Sequence, residues 1–129
     1  MGRHFVSPHN RDPALWGKVF WDFIFVSASN YPHGQSTEGS VAITPDEFEI
    51  KKRQFVVLIK AFTRSIPCDV CRRHFREYMR KNPLSDALES RERLFLWLYR
   101  AKCDINRKRK RRNTSYNVVL RNYNIPPMN

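Results

Sequence analysis

Thr44-Pro45-Asp46-Glu47 opens a run in which Phe48, Phe55, Ile59, Phe62 and Ile66 recur at near-heptad spacing, ahead of Pro67-Cys68-Asp69-Val70-Cys71. Thr as N-cap, Pro at the first helical position and Glu two residues later make a helix start. The spacing of the apolar residues makes one buried face, and Pro67 stops the run. The stretch predicts a long amphipathic helix that delivers a Cys-x-x-Cys pair to the start of the next helix. That next helix runs from about Cys68 to about Lys81, before Asn82-Pro83.

Working outward, Asp12-Pro13 opens an earlier helix. Leu15, Trp16, Val19, Phe20, Phe23, Ile24, Ser27 and Ala28 recur along it at three and four, and Tyr31-Pro32 ends it. From His33 to Ile43 the Gly, Ser, Thr and Gln content reads as an exposed loop. A helix near Ser90 carries Leu94, Trp97, Leu98, Ala101 and Ile105 on one face, and Ser115 to Tyr123 reads as a short fifth. Period-two alternation is nearly absent. The fold expected is all-α, a four-helix bundle with a short fifth helix, over residues 12–123. Residues 1–11 and 124–129 are read as tails.

The chain has 129 residues, a net charge of +12 and 41% hydrophobic residues. That is a single-domain length, with enough apolar content to exclude disorder throughout. The charge favours anionic partners. No run of about 18 apolar residues exists, which argues against a transmembrane helix. Residues 1–8 lack the apolar core of a signal peptide, so a chain kept in the cytosol is expected. Three cysteines make an odd, small set that leans toward redox chemistry rather than scaffolding.

Cys68 and Cys71 stand at i and i+3 on a helix start, where a disulfide is feasible. Unpaired N–H groups and the helix dipole favour a thiolate there, and Arg72, Arg73 and His74 add positive charge. Cys71, Phe75 and Tyr78 fall at i, i+4 and i+7, so Cys71 should face inward and Cys68 sit at the exposed end. Other readings exist. The pair could be reduced and inert. Zinc would need Cys68, Cys71, His74 and Cys103 together, and the first three are cramped on one turn, so no metal is expected. A thioredoxin-like arrangement needs a strand at Phe55–Ile59, where helix is favoured. Arg107 to Arg112 is six consecutive cations. Alone it suggests a non-catalytic basic module for nucleic acid or an acidic partner, or simply a solvated turn. Aromatics that would stack on bases are absent from it until Tyr116.

Trp21, Tyr31-Pro32, Pro67-Cys68-x-x-Cys71-x-x-His74-Phe75, then Trp97 and Asp104-Ile105-Asn106 with basic residues, together resemble the Erv/ALR family of FAD-dependent sulfhydryl oxidases. The resemblance covers about Leu15 to Tyr123 and is greatest to the small members of poxviruses and other large DNA viruses. It implies FAD at the mouth of the bundle, with Cys71 beside the flavin and Cys68 exchanging with substrate. It places Gly17, Lys18 and Trp21 in the first FAD-contacting segment, and Tyr31 at the Tyr of a Tyr-Pro. His74 would lie near the flavin. Asn106 matches an Asn on the fourth helix, beside Ile105. Lys108 and Arg111 fall where basic residues approach the phosphates, and Tyr123 matches a late aromatic.

Two departures stand out. Phe25 replaces the usual His and can stack on a ring. Lys102-Cys103 replaces His-Asn; Lys102 can meet a phosphate, and Cys103 is read as a small buried residue, an interchain partner or an off-line thiol. No second Cys pair is present, so the resemblance implies a dithiol substrate on another protein, thioredoxin-like or a small Cys-containing viral protein. It also implies O2 as acceptor with hydrogen peroxide as product, a homodimer, no membrane or nucleic-acid role, and a place in the host cytoplasm, virus factories or the virion.

Overall fold

The computed structural model describes residues 2–5, 11–32 and 42–126. Most of the loop expected from His33 to Ile43, and parts of both expected tails, lie outside the described residues. Four long helices carry the fold: α1 (Pro13–Ser29), α2 (Pro45–Ser65), α3 (Asp69–Lys81) and α5 (Arg91–Lys108). Two short ones accompany them, α4 (Leu84–Ala87) and α6 (Tyr116–Asn122). The four-helix bundle with a short terminal helix is as expected, and α4 is an addition. Its four residues follow Pro83, with no side-chain cap and no apolar period to announce them.

The helix starts follow local chemistry. Asp12 caps α1 through Ala14 N–H, Ser90 caps α5 and Ser115 caps α6. Thr44 and Glu47 form the reciprocal capping box of α2, a device that satisfies two otherwise orphaned donors. Pro at the first position of α1 and α2 needs no N–H partner there.

The inward face of α1 differs from the periodic reading. Trp21, Ile24, Phe25 and Ala28 are buried, while Leu15, Val19 and Phe23 are 48%, 66% and 55% exposed. Trp16 and Phe20 are half-buried against the core. The helix is apolar on nearly every side, so spacing alone does not choose which face turns inward.

The core is aromatic. Trp21 lies against Phe62 and Phe75 at 6.0 and 6.2 Å between ring centroids. Phe25 meets Phe95 at 4.9 Å, and Phe75 meets Trp97 at 6.0 Å. The contacts fix the helix directions. Phe20 meets Phe62 while Tyr31 meets Phe55, so α1 and α2 run antiparallel. Arg91 N–H bonds Pro32 O and Phe25 meets Phe95, which sets α5 antiparallel to α1. One end of the bundle therefore collects the first half of α1, the start of α3 and the last turns of α5.

Candidate active site

At that end Cys68 is the N-cap of α3 and Cys71 lies in its first turn. Both thiols are free in this structure. Cys71 is 2% exposed and Cys68 half-buried, which is the expected division into an inner and an outer sulfur. Cys68 Sγ accepts from Cys71 N–H at 3.4 Å, as a capping side chain does.

The two thiols are driven apart electrostatically. Partial burial opposes ionisation of Cys68, but the Cys71 thiol, the N–H groups of Cys71 and Val70 and the charge of Arg109 outweigh it. Its pKa is lowered. Burial pushes the Cys71 thiol up, and its hydrogen bond to Cys68 and that sulfur's charge push the same way. In the reduced dithiol Cys68 therefore ionises ahead of Cys71.

The source of positive charge differs from the sequence expectation. Arg72 turns back, donating to Ile66 O at 3.0 Å and pairing with Asp69. His74 is held below the usual imidazole range by burial and by the charges of Lys108 and Arg73, so it is neutral at pH 7. Arg109, at the far end of the chain's last long helix, is the cation that acts on both sulfurs.

Around this dithiol the fold gathers most residues singled out from sequence. Trp21 is a wall of the core at the mouth, packed on Phe75. Lys18 bonds Asp22 Oδ2 at 2.5 Å, and Tyr123 donates to Asp22 Oδ1 at 2.8 Å. Phe25 lies under Lys102 Nζ at 5.8 Å from the ring centroid and 5.5 Å from the Tyr123 ring. Ile105 is buried in the core. Asn106 donates to Asn113 Oδ1 at 3.0 Å and accepts Arg111 N–H at 2.7 Å. Lys108 pairs with Asp104 at 3.1 Å. Arg111 is exposed beside it.

Two singled-out residues stand apart. Tyr31 is buried at the other end, against Phe48 and Phe55, and its hydroxyl donates to Leu88 O at 2.5 Å. That pins the C-terminus of α1 to the segment after α4. Cys103 is half-buried beside Tyr99, on the side of α5 where Tyr99 stacks on Tyr116 at 4.9 Å.

Sequence reading missed Asp22 and Arg109. The Lys18–Asp22 pair at i, i+4 was the available signal for the first. Nothing local marked Arg109 among its cationic neighbours.

Three observations fit a flavin dinucleotide at this end. His74 Nδ1 is buried without a hydrogen-bond partner among the described residues, which asks for a ligand or water. Lys102 is half-buried, and its pKa is lowered mainly by desolvation, against which the charge of Asp22 acts. Gly17 sits inside α1, where a Cβ would meet nothing within 4 Å. Packing does not require a glycine there, and in a helix it is unfavourable.

Among the described residues no group of three or more His, Cys, Asp or Glu side chains converges as metal ligands would. No described helix is long and apolar enough to cross a membrane.

The crystal structure of the yeast Erv1 core resembles this fold at a TM-score of 0.68 and 24% identity, covering 95% of this chain and 89% of that one. The candidate FAD-linked sulfhydryl oxidase 096R of Invertebrate iridescent virus 3 is 24% identical over 115 residues, 89% of this chain and 70% of that protein. The candidate FAD-linked sulfhydryl oxidase R368 of Acanthamoeba polyphaga mimivirus is 30% identical over 86 residues, 66% of this chain and 52% of that protein. Residues 18–124, which hold the dithiol and nearly all of the residues around it, match the Erv1/Alr family pattern, and the chain belongs to that family.

Proposed function

We propose that this chain is a FAD-linked thiol oxidase that makes disulfides in partner proteins through Cys68 and Cys71. The observation that carries the reading is the dithiol's asymmetry. An outer sulfur of lowered pKa and an inner, buried one share the first turn of α3, at the end of the bundle where cations and aromatic rings gather.

The oxidised pair takes electrons by thiol–disulfide exchange. A partner thiolate attacks Cys68 Sγ, the Cys68–Cys71 bond breaks, and Cys71 leaves with the electron pair. Arg109 and the helix N-terminus stabilise the departing charge. A second partner thiol then displaces Cys68, so the partner holds the disulfide and this chain holds two reduced cysteines. FAD, when bound, would supply the acceptor for that electron pair and a route from it to O2, with hydrogen peroxide as the product proposed. Trp21 and Lys102 would help to hold the cofactor, and Phe25, buried under Lys102 and against Tyr123, would back them rather than stack on a ring as the sequence suggested. His74 would offer its unpartnered nitrogen, and Lys108 and Arg111 would meet the phosphates.

The partner chemistry required is a protein dithiol. A homodimer fits the face that α1 leaves uncovered, where Leu15, Val19, Phe23 and Val26 are all exposed. Such a stripe on a small domain marks an interface, and a second copy of the chain is the occupant proposed. With candidate relatives in two viruses, the host cytoplasm, its virus factories or the virion is the proposed setting for a viral disulfide pathway.

The test is the visible spectrum of the dialysed protein together with dithiol-dependent oxygen uptake. A flavin band near one per chain and oxygen use abolished by Cys71→Ser are expected. No flavin even after added FAD, or turnover unchanged by Cys71→Ser, overturns the reading.

A further inference from the structure

The cationic turn after α5 does more than the dithiol chemistry requires. Arg107 and Lys108 share Asp104, at 3.8 and 3.1 Å. Arg109, Lys110, Arg111 and Arg112 have no carboxylate partner among the described residues. They are nonetheless held in a defined turn. Asn106 O accepts from Arg109 N–H at 3.2 Å and Arg111 N–H at 2.7 Å, and Lys110 N–H bonds Arg107 O at 3.1 Å. Lys110 takes φ 57, the left-handed conformation that closes the helix. Like charges are therefore fixed together rather than spread on a free tail, and an anionic partner would relieve their mutual repulsion.

The position of the turn follows from the register of α3 against α5. Tyr78 donates to Trp97 O at 2.9 Å, and Trp97 Nε1 donates to Asn82 O at 2.9 Å. One step toward the start of α3, His74 faces Asp104 and Lys108. The helices run antiparallel, so the start of α3 lies beside the end of α5. Arg109 is the half-buried member of the run, its charge acts on both sulfurs, and Lys110, Arg111 and Arg112 after it are exposed. The acid nearest Cys68, Asp69, is already paired with Arg72. A dinucleotide's phosphates, placed at Lys108 and Arg111, would leave uncompensated both Arg109, whose charge acts on Cys68, and the exposed Lys110 and Arg112 of the same turn.

We propose that Arg109, Lys110 and Arg112 form a docking surface for the protein substrate, and that the substrate carries Asp or Glu beside the cysteine that attacks Cys68. The proposal rests on the thiol-oxidase reading and adds a substrate class to it.

A flavin-independent exchange assay tests it. A full-length Cys71→Ser, Cys103→Ser protein carries Cys68 as its mixed disulfide with thionitrobenzoate. A single-cysteine peptide thiolate attacks Cys68 Sγ, the bond to thionitrobenzoate breaks, and the coloured thiolate leaves with the electron pair. Peptides of equal length with Glu, Ser or Lys around the cysteine are compared. Each rate is divided by that peptide's rate with dithiodipyridine, an uncharged disulfide, which removes differences in thiol pKa without adding a charge of the reagent's own.

At low salt the Glu peptide is expected to exceed the Ser peptide about tenfold, within the range of electrostatic steering, and the Lys peptide to lag both. The gap closes as salt shortens the Debye length below about 10 Å. Lys110→Asn, which keeps a residue tolerant of the left-handed turn, and Arg112→Ser each lower the Glu-to-Ser ratio. A ratio near one in the parent protein, or one that neither variant moves, overturns the proposal. So does tight binding of a single-stranded oligonucleotide that both variants abolish while the Glu peptide has no advantage, which would give the turn to nucleic acid. Oxygen uptake with dithiothreitol by the flavin-loaded natural sequence tests the oxidase reading separately, so the two failures are distinguishable.

Discussion

The phenol of Tyr123 donates to Oδ1 of Asp22 at 2.8 Å, joining residues 101 positions apart in sequence. Asp22 Oδ2 is held by Lys18, whose hydrogen bond is the main reason that the carboxyl is lowered below its usual range. Burial and the Asp22 charge in turn raise the Tyr123 phenol. The bond clamps the last helix to the first at the mouth of the bundle. Tyr123→Phe removes it and leaves the ring packed on Phe25 and Phe95. We expect a loss of about 1 kcal/mol, read as a lower urea midpoint with an unchanged slope. A midpoint equal to that of the parent would show that the clamp contributes nothing.

The dithiol makes a prediction in pH. The lowered pKa of Cys68 means that its thiolate forms below the ordinary thiol range, whereas Cys71 stays protonated. In the reduced protein, iodoacetamide should label Cys68 first, with a midpoint below 9.0, and Cys71 only on unfolding. Peptide mapping of the alkylated chain over pH checks this. Equal labelling of the two sulfurs would contradict the asymmetry.

Stability follows the same shifts with opposite signs. Cys71 is raised in the fold, so its contribution is full below its unfolded value of 9.0 and falls as pH climbs from there to about 12. Cys68 is lowered, so its contribution is present above 9.0 and is lost as pH falls. Denaturant midpoints of reduced parent and reduced Cys71→Ser should therefore converge above about pH 9. Buried tyrosines titrate in the same range, and the difference between the two proteins removes them. A constant difference through that window would refute the assignment to Cys71.

Gly17 separates folding from cofactor binding. A methyl group there meets nothing within 4 Å, so Gly17→Ala should stabilise the flavin-free protein by about 0.5–1 kcal/mol. If FAD approaches the helix at this point, the same methyl group weakens binding. Flavin fluorescence titration and urea melts on one preparation should move in opposite directions.

The uncovered side of α1 predicts the assembly. Val19→Glu or Phe23→Glu places a charge in the exposed stripe without touching the core. Light scattering should report a dimer for the parent and a monomer for either variant. Dimers that survive both charges would place the interface elsewhere.

Much of this molecule was legible because its helices announce themselves locally. Asp12-Pro13, Thr44-Pro45 with Glu47, and Ser90 are capping signals that act within a turn. Cys71, Phe75 and Tyr78 share one face of α3 by periodicity alone, and all are buried. The inner and outer sulfurs followed from that spacing, and the family from the order of the motifs.

What tertiary structure decided was long-range. The inward face of α1 was set by which rings α2, α3 and α5 presented to it, since the helix is apolar on most sides. Tyr31 was assigned to the opposite end by the packing of α2, and Asp22 acquired Tyr123 only when α6 closed over α1. Arg109 reached the dithiol because α3 and α5 run antiparallel. Sequence determined what each segment is, because caps and periodicity are interactions within a few residues. Only packing decided which charges meet the sulfurs, because charge acts through space and the chain brings residues 68 and 109 together only when folded.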